Sequence, residues 1–120
     1  MKAILFTATA RPAQSQSFYS QLPGFRFVTD SPYALVFEVE GTELRIQKVD
    51  ALQPAPYTTL GFQVDDINEQ VRALSELGVV FEKFDFLEQD QLAIWSSPDG
   101  ARVAWFKDPD GNTLSLTQQP

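Results

Sequence analysis

The 120-residue sequence contains neither cysteine nor histidine. Without cysteine there are no disulfides, no thiolate nucleophiles and no zinc fingers. The missing histidine excludes more, because imidazole is the commonest general base and the commonest metal ligand among side chains. Cationic residues are also scarce: nine Lys and Arg stand against sixteen Asp and Glu, leaving a net charge of −7. That balance argues against nucleic acid and anionic membranes as partners. No apolar run approaches the roughly 18 residues that span a bilayer, and the apolar stretch after Met1 and Lys2 is too short for a signal peptide. A cytoplasmic protein is the expectation.

What is present is a core. Hydrophobic residues make up 43% of the chain, and ten Phe, three Tyr and two Trp are among them. This is too much apolar surface for a disordered polymer. A single domain over residues 1–120 is expected.

A loop-like run at residues 50–56, containing Pro54 and Pro56, separates two periodic stretches, residues 1–49 and 57–120. In the first, the spacing predicts a strand over residues 2–9 and a helix over 11–22 with Phe18, Tyr19 and Leu22 on one stripe. Pro23-Gly24 ends that helix, and strands follow at 25–29, 34–39 and 43–49. The second stretch opens with a strand over 58–64, where Leu60, Phe62 and Val64 alternate with Thr59, Gly61 and Gln63. Asp66 is placed to cap a helix, with Glu69 three residues on. Ile67, Val71, Leu74 and Leu77 form its apolar stripe and Gly78 stops it. Strands are predicted at 79–85, 102–107 and 113–117.

The two stretches match each other. Gly24-Phe25-Arg26-Phe27 aligns with Gly78-Val79-Val80-Phe81, and the run from Gly41 to Gln47 aligns with that from Gly111 to Thr117. The change of offset marks an insertion at residues 86–98, with room for a short strand at 92–95. Two βαβββ repeats, an α+β fold, follow from this reading. In such a unit the helix covers one sheet face, to which Leu44, Ile46, Leu60, Phe62, Val64, Leu114 and Leu116 contribute. The opposite face then presents Glu43, Arg45 and Gln47, Thr59, Gly61 and Gln63, and Thr113, Ser115 and Thr117. A curved mixed sheet with that polar face inward forms a cleft.

The helix entry Val64-Asp65-Asp66, the segment Phe18-Tyr19 with Leu22-Pro23-Gly24-Phe25, and the turn Asp108-Pro109-Asp110-Gly111-Asn112 resemble the vicinal oxygen chelate superfamily of glyoxalases, bleomycin resistance proteins and dioxygenases. The resemblance covers nearly the whole chain. It implies the cleft fold and, in members with metal activity, a divalent ion held by His, Glu or Gln at four strand positions. Carried over, those positions fall at Ile4 (Lys2 or Phe6 with a two-residue slip), Arg45, Thr59 and Ser115. None is a competent ligand. Arg45 adds a fixed positive charge whose repulsion of a cation at ~4 Å is several kcal/mol at intermediate dielectric. No metal and no cofactor are expected.

Arg45 suits two roles, a clamp for a ligand oxyanion or an ion pair with Glu43. Trp105 suits stacking on a planar ligand or burial in the core, while Trp95 and Tyr57 suit a rim or dimer contact. Asp99, Asp108 and Asp110 sit in Ser-Pro-Asp-Gly and Asp-Pro-Asp-Gly runs, which are turn chemistry. The cleft residues expected to bind a small organic molecule are Arg45, Gln47, Thr59, Gln63, Trp105 and Ser115, with no catalytic residue among them. By resemblance, non-catalytic relatives are dimers that sequester basic antibiotics of the bleomycin type, and a homodimer is expected here. A second reading is a glyoxalase-like lyase, isomerase or dioxygenase using Arg45 as electrophile and Glu43 or Glu38 as base. A third is an interaction protein with a vestigial cleft.

Overall fold

Runs rich in Val, Leu, Phe and Thr form eight strands, and two short helices separate them, in a computed structural model of residues 1–120. The chain divides into two units. The first holds Met1–Pro54 and Asp108–Gly111, and the second holds Ala55–Lys107 and Asn112–Pro120.

The first unit contains β1 (Ile4–Thr9), α1 (Pro12–Ser20), β2 (Phe25–Asp30), β3 (Ala34–Val39) and β4 (Thr42–Lys48). Its sheet runs β1-β4-β3-β2, with β1 parallel to β4 and the remaining pairs antiparallel. Helix α1 begins at Pro12, where a missing N–H costs nothing, and is shorter than the predicted 11–22. Gly24, at φ +82°, makes the reversal into β2. Leu35, Phe37, Leu44 and Ile46 are buried on the helix side with Tyr19 and Leu22. Phe37 stands within 6.5 Å, centroid to centroid, of Tyr19, Phe25 and Phe27, so ring packing fills this core.

The second unit contains β5 (Thr58–Gln63), α2 (Ile67–Glu76), β6 (Trp95–Ser96), β7 (Arg102–Lys107) and β8 (Thr113–Gln118). The order β5-β8-β7-β6, with β5 parallel to β8, repeats the first topology, so the chain is built of two βαβββ units with mixed sheets. Asp66 caps α2 as predicted, its carboxylate accepting from the Glu69 N–H at 3.1 Å. Ile67, Val71 and Leu74 are buried, and Leu60, Ala104, Phe106, Leu114 and Leu116 complete this core.

Three expectations are corrected here. Leu77 does not continue the buried stripe; it sits at the helix C-cap, 44% exposed, and Val79 takes the buried place beyond it. Residues 79–85 do not form a strand: only Phe81 bridges Phe106, and the Glu82 N–H reaches the Trp105 carbonyl at 2.8 Å. The chain then leaves β7 and returns to its other half as β6, slightly beyond the short strand predicted at 92–95. The edge strand is split by the insertion, whose polar side chains supply its backbone with partners. Finally, the register between β5 and β8 shifts between Thr58 and Leu60, which leaves Thr59 without a cross-strand partner.

Candidate functional site

On the first unit, Arg45 and Gln47 lie on the face away from α1, as alternation requires. Their cross-strand neighbours are Phe6 and Ala8 of β1 and Val36 and Ala34 of β3. This face is therefore more apolar than β4 alone suggested, with Ile4 and Phe6 about half exposed. The Arg45 Nε donates to Glu43 Oε2 at 2.5 Å. Glu38 accepts from the Arg26 guanidinium at 2.7 Å and from the Gly41 N–H at 2.9 Å. The Arg26 hydrogen bond, followed by that from Gly41, holds the Glu38 carboxyl below the usual carboxylate range. Both carboxylates offered as bases are thus paired with arginines.

On the second unit, Trp105 of β7, Ser115 of β8 and Gly61 of β5 form one row across the sheet. The next row is Trp95, Val103, Thr117 and Gln63. All lie on the face opposite Phe106, Leu114 and Leu116, so Trp105 is not a core residue. The two indoles are 6.1 Å apart and tilted by 36°. Phe84 stands edge-on to Trp105 at 5.5 Å, and Phe86 lies 5.5 Å from Phe84. Ser115 is buried, at 6% exposure, beside the bare backbone of Gly61. A methyl group built on Gly61 would come within 3.1 Å of Ser115 Oγ and 3.9 Å of Thr58 Cγ2. Small residues therefore make a flat floor next to an aromatic wall. Thr59, expected in that floor, instead turns its hydroxyl to the Thr113 carbonyl at 3.4 Å, and Thr58 takes its place in the row.

Trp105, Ser115 and Gln63 thus share one face of the second unit, and Arg45 and Gln47 one face of the first. Phe84, Phe86 and Thr58 were missed by sequence reasoning. The only signal for the two Phe was the aromatic spacing within a stretch read as strand and insertion.

The carried-over metal positions do not fit a divalent cation. Ile4 has no donor, Arg45 is cationic and paired with Glu43, and Thr59 and Ser115 offer only neutral hydroxyls. Nowhere do three His, Cys, Asp or Glu side chains gather in a way that holds a metal.

Asp108 and Asp110 form the expected turn, closed by the Gly111 N–H on the Asp108 carbonyl at 3.0 Å. Their carboxylates do more than turn the chain. Asp108 Oδ2 accepts from the Tyr19 hydroxyl at 2.7 Å. Asp110 accepts from the Ala10 N–H at 2.8 Å and from the hydroxyls of Thr9 and Ser15. These oxygens are taken up by partners within the first unit.

A family model described as a glyoxalase-like domain matches residues 4–117. Among solved structures, a bleomycin resistance determinant encoded on the transposon Tn5 is similar over 99% of this chain and 98% of that one, with 22% identity and a TM-score of 0.78. TnmS3, an antibiotic-binding protein from Streptomyces sp. CB03234, is similar over 100% and 98%, with 22% identity and a TM-score of 0.74. The fosfomycin resistance protein FosX from Listeria monocytogenes, complexed with Mn(II) and sulfate, is similar over 100% and 90%, with 17% identity and a TM-score of 0.75. At these identities the likeness is one of fold. No curated protein sequence matches the chain.

Proposed function

Since the chain belongs to the glyoxalase-like domain family of the vicinal oxygen chelate fold, we propose that it is a metal-free small-molecule-binding protein whose ligand carries a flat ring system. The observation that carries this reading is the pair of indoles, Trp95 and Trp105, standing over the floor of Gly61 and Ser115. Partly exposed aromatic faces beside small residues offer stacking area to a planar ligand at little entropic cost. In this reading Trp105, Ser115 and Gln63 contact the ligand on the second unit, with Thr58 in the place expected for Thr59, and Arg45 with Gln47 offers a polar surface on the first. A structural neighbour described as antibiotic-binding and another that confers bleomycin resistance support a binding role. The enzyme reading is less well supported, because Glu43 and Glu38 are tied to Arg45 and Arg26. The protein is further proposed to act as a cytoplasmic homodimer.

Trp95 and Trp105 are the only tryptophans, so intrinsic fluorescence reports directly on this surface. A panel of planar heteroaromatic compounds is expected to include members that quench it saturably, with quenching abolished by Gly61→Val, which fills the floor without altering either indole. If no planar compound quenches the wild type, or if Gly61→Val binds as well as the wild type, the reading fails.

A further inference from the structure

In the insertion that splits the edge strand, one side chain bonds to both limbs. Gln89 Oε1 accepts from the Phe84 N–H at 2.8 Å, and its Nε2 donates to the carbonyls of Glu82 and Ala93, each at 2.9 Å. One acceptor and both amide donors are used, on both limbs of the loop at once. Asp90 shapes the returning limb, its Oδ1 accepting from the Leu92 and Ile94 N–H groups at 2.8 and 3.0 Å. Ala93 is held there at φ +63°, a conformation that residues with a Cβ seldom adopt. The outgoing limb has little apolar anchorage of its own: Asp85, Phe86 and Glu88 are exposed, Phe86 by 81%. Yet this limb carries Phe84, whose ring meets Trp105 edge-on.

We propose that Gln89 is the positioning residue of the aromatic surface: its amide latches residues 84–94 so that Phe84 forms a fixed wall against Trp105. The residue that sets the width of the surface for a planar ligand therefore does not touch the ligand. The ligand part of this inference rests on the function proposed above, whereas the latch itself does not.

Glutamine is required for chemical reasons. A glutamate of the same shape would turn a carboxylate oxygen toward the carbonyls of Glu82 and Ala93, replacing two hydrogen bonds with repulsion. The test compares the full-length wild type with Gln89→Glu and Gln89→Ala. Amide hydrogen exchange at Phe84 is expected to speed up by about tenfold or more in both variants, while the Leu114 and Leu116 amides of β8 keep wild-type protection. The near-ultraviolet circular dichroism of the two tryptophans is expected to lose intensity in parallel. Unchanged Phe84 exchange in either folded variant overturns the latch. If Gln89→Glu does not fold, Gln89→Ala, which adds no charge, decides the matter. Should Gln89→Ala also lose protection throughout β8, Gln89 supports the whole unit and the positioning role is rejected.

The ligand part is read with proflavine, a planar aromatic cation. Its affinity is expected to fall by about tenfold in Gln89→Ala and to vanish in Trp105→Ala. Faster Phe84 exchange with unchanged proflavine affinity leaves the latch standing and overturns its role in binding. No proflavine binding by the wild type, alongside failure of the planar panel, counts against the proposed function and leaves the exchange result to judge the latch.

Discussion

The Tyr19 hydroxyl donates a 2.7 Å hydrogen bond to Asp108 Oδ2, a residue 89 positions further along the chain. Both side chains are buried, and the second Asp108 oxygen accepts from the Asp110 N–H at 3.0 Å. The tyrosine ring also belongs to the aromatic core around Phe37. Removing the hydroxyl takes a hydrogen-bond donor from a buried carboxylate, so Tyr19→Phe is expected to lower stability by about 1–3 kcal/mol in urea denaturation. Tyr33→Phe, at an exposed position, is expected to change little.

The same pair predicts a loss of stability in alkali. Burial first, and then the negative charge of Asp108, raise the Tyr19 pKa far above its ordinary value of 10.0. Below pH 10.0 the folded and unfolded chains both keep this proton and the contribution is intact. Above it the unfolded chain ionises while the folded chain does not, so stability falls as pH rises. The melting temperature of the wild type is expected to drop from pH 10 upward, and Tyr19→Phe is expected to lack this part of the drop. Parallel curves for the two proteins would refute the assignment.

The two faces of β8 are expected to respond differently to truncation. Leu116 lies in the core and Ser115 on the opposite face beside Gly61. Leu116→Ala is expected to cost about 2–5 kcal/mol, and Ser115→Ala about 1 kcal/mol or less, by thermal and denaturant melts. Comparable losses would overturn the assignment of faces.

The proposed metal-free state is testable directly, because the four positions that the resemblance gives to metal ligands are occupied by Ile4, Arg45, Thr59 and Ser115. Elemental analysis after dialysis is expected to find nickel, zinc, iron and manganese far below one ion per chain. Adding these ions is expected to leave the melting temperature unchanged. A near-stoichiometric metal content would contradict the reading directly.

The homodimer is testable by light scattering. Ile4, Phe6 and Val28 expose apolar area, and the sheet edges at β2 and β6 carry backbone groups that a second copy would pair. A two-fold dimer burying more than roughly 1,000 Å² in total is expected. A mass near 13.5 kDa at tens of micromolar would reject it.

Much of this architecture was legible because its signals are local. Leu44 and Ile46, and Leu114 and Leu116, repeat with period two, and Asp66 with Glu69 marks a helix start. The departures arise where a distant partner overrides the local pattern. Val79 to Asp85 reads as a strand, but Gln89 takes up the backbone groups of Glu82 and Phe84 and pulls the chain off the sheet. Thr59 alternates correctly along its own strand, yet the register against β8 shifts beside it. The turn at Asp108 was recognisable from Pro109 and Gly111, whereas Thr9, Ser15 and Tyr19 as its partners were not, since nothing near them in sequence calls for a carboxylate. The site residues were partly visible for the same reason: alternation places Trp105 and Ser115, but only folding brings Phe84 to Trp105.

Asp108–Gly111 lies with the first unit, although the strands that flank it, β7 and β8, lie in the second. On the ribosome, Tyr19 and Thr9 emerge 89 and 101 positions before the carboxylates that receive their hydroxyls. A nascent chain that has translated only β1 to β4 can form local helix and hairpins, and Thr9 can pair with Ser15, but the Tyr19 hydroxyl of α1 still lacks its carboxylate. Closing such long loops is slow compared with forming a helix. Completion of the first unit therefore waits for the turn between β7 and β8, and a chain stalled before Asp108 lacks the Tyr19–Asp108 bond that closes it.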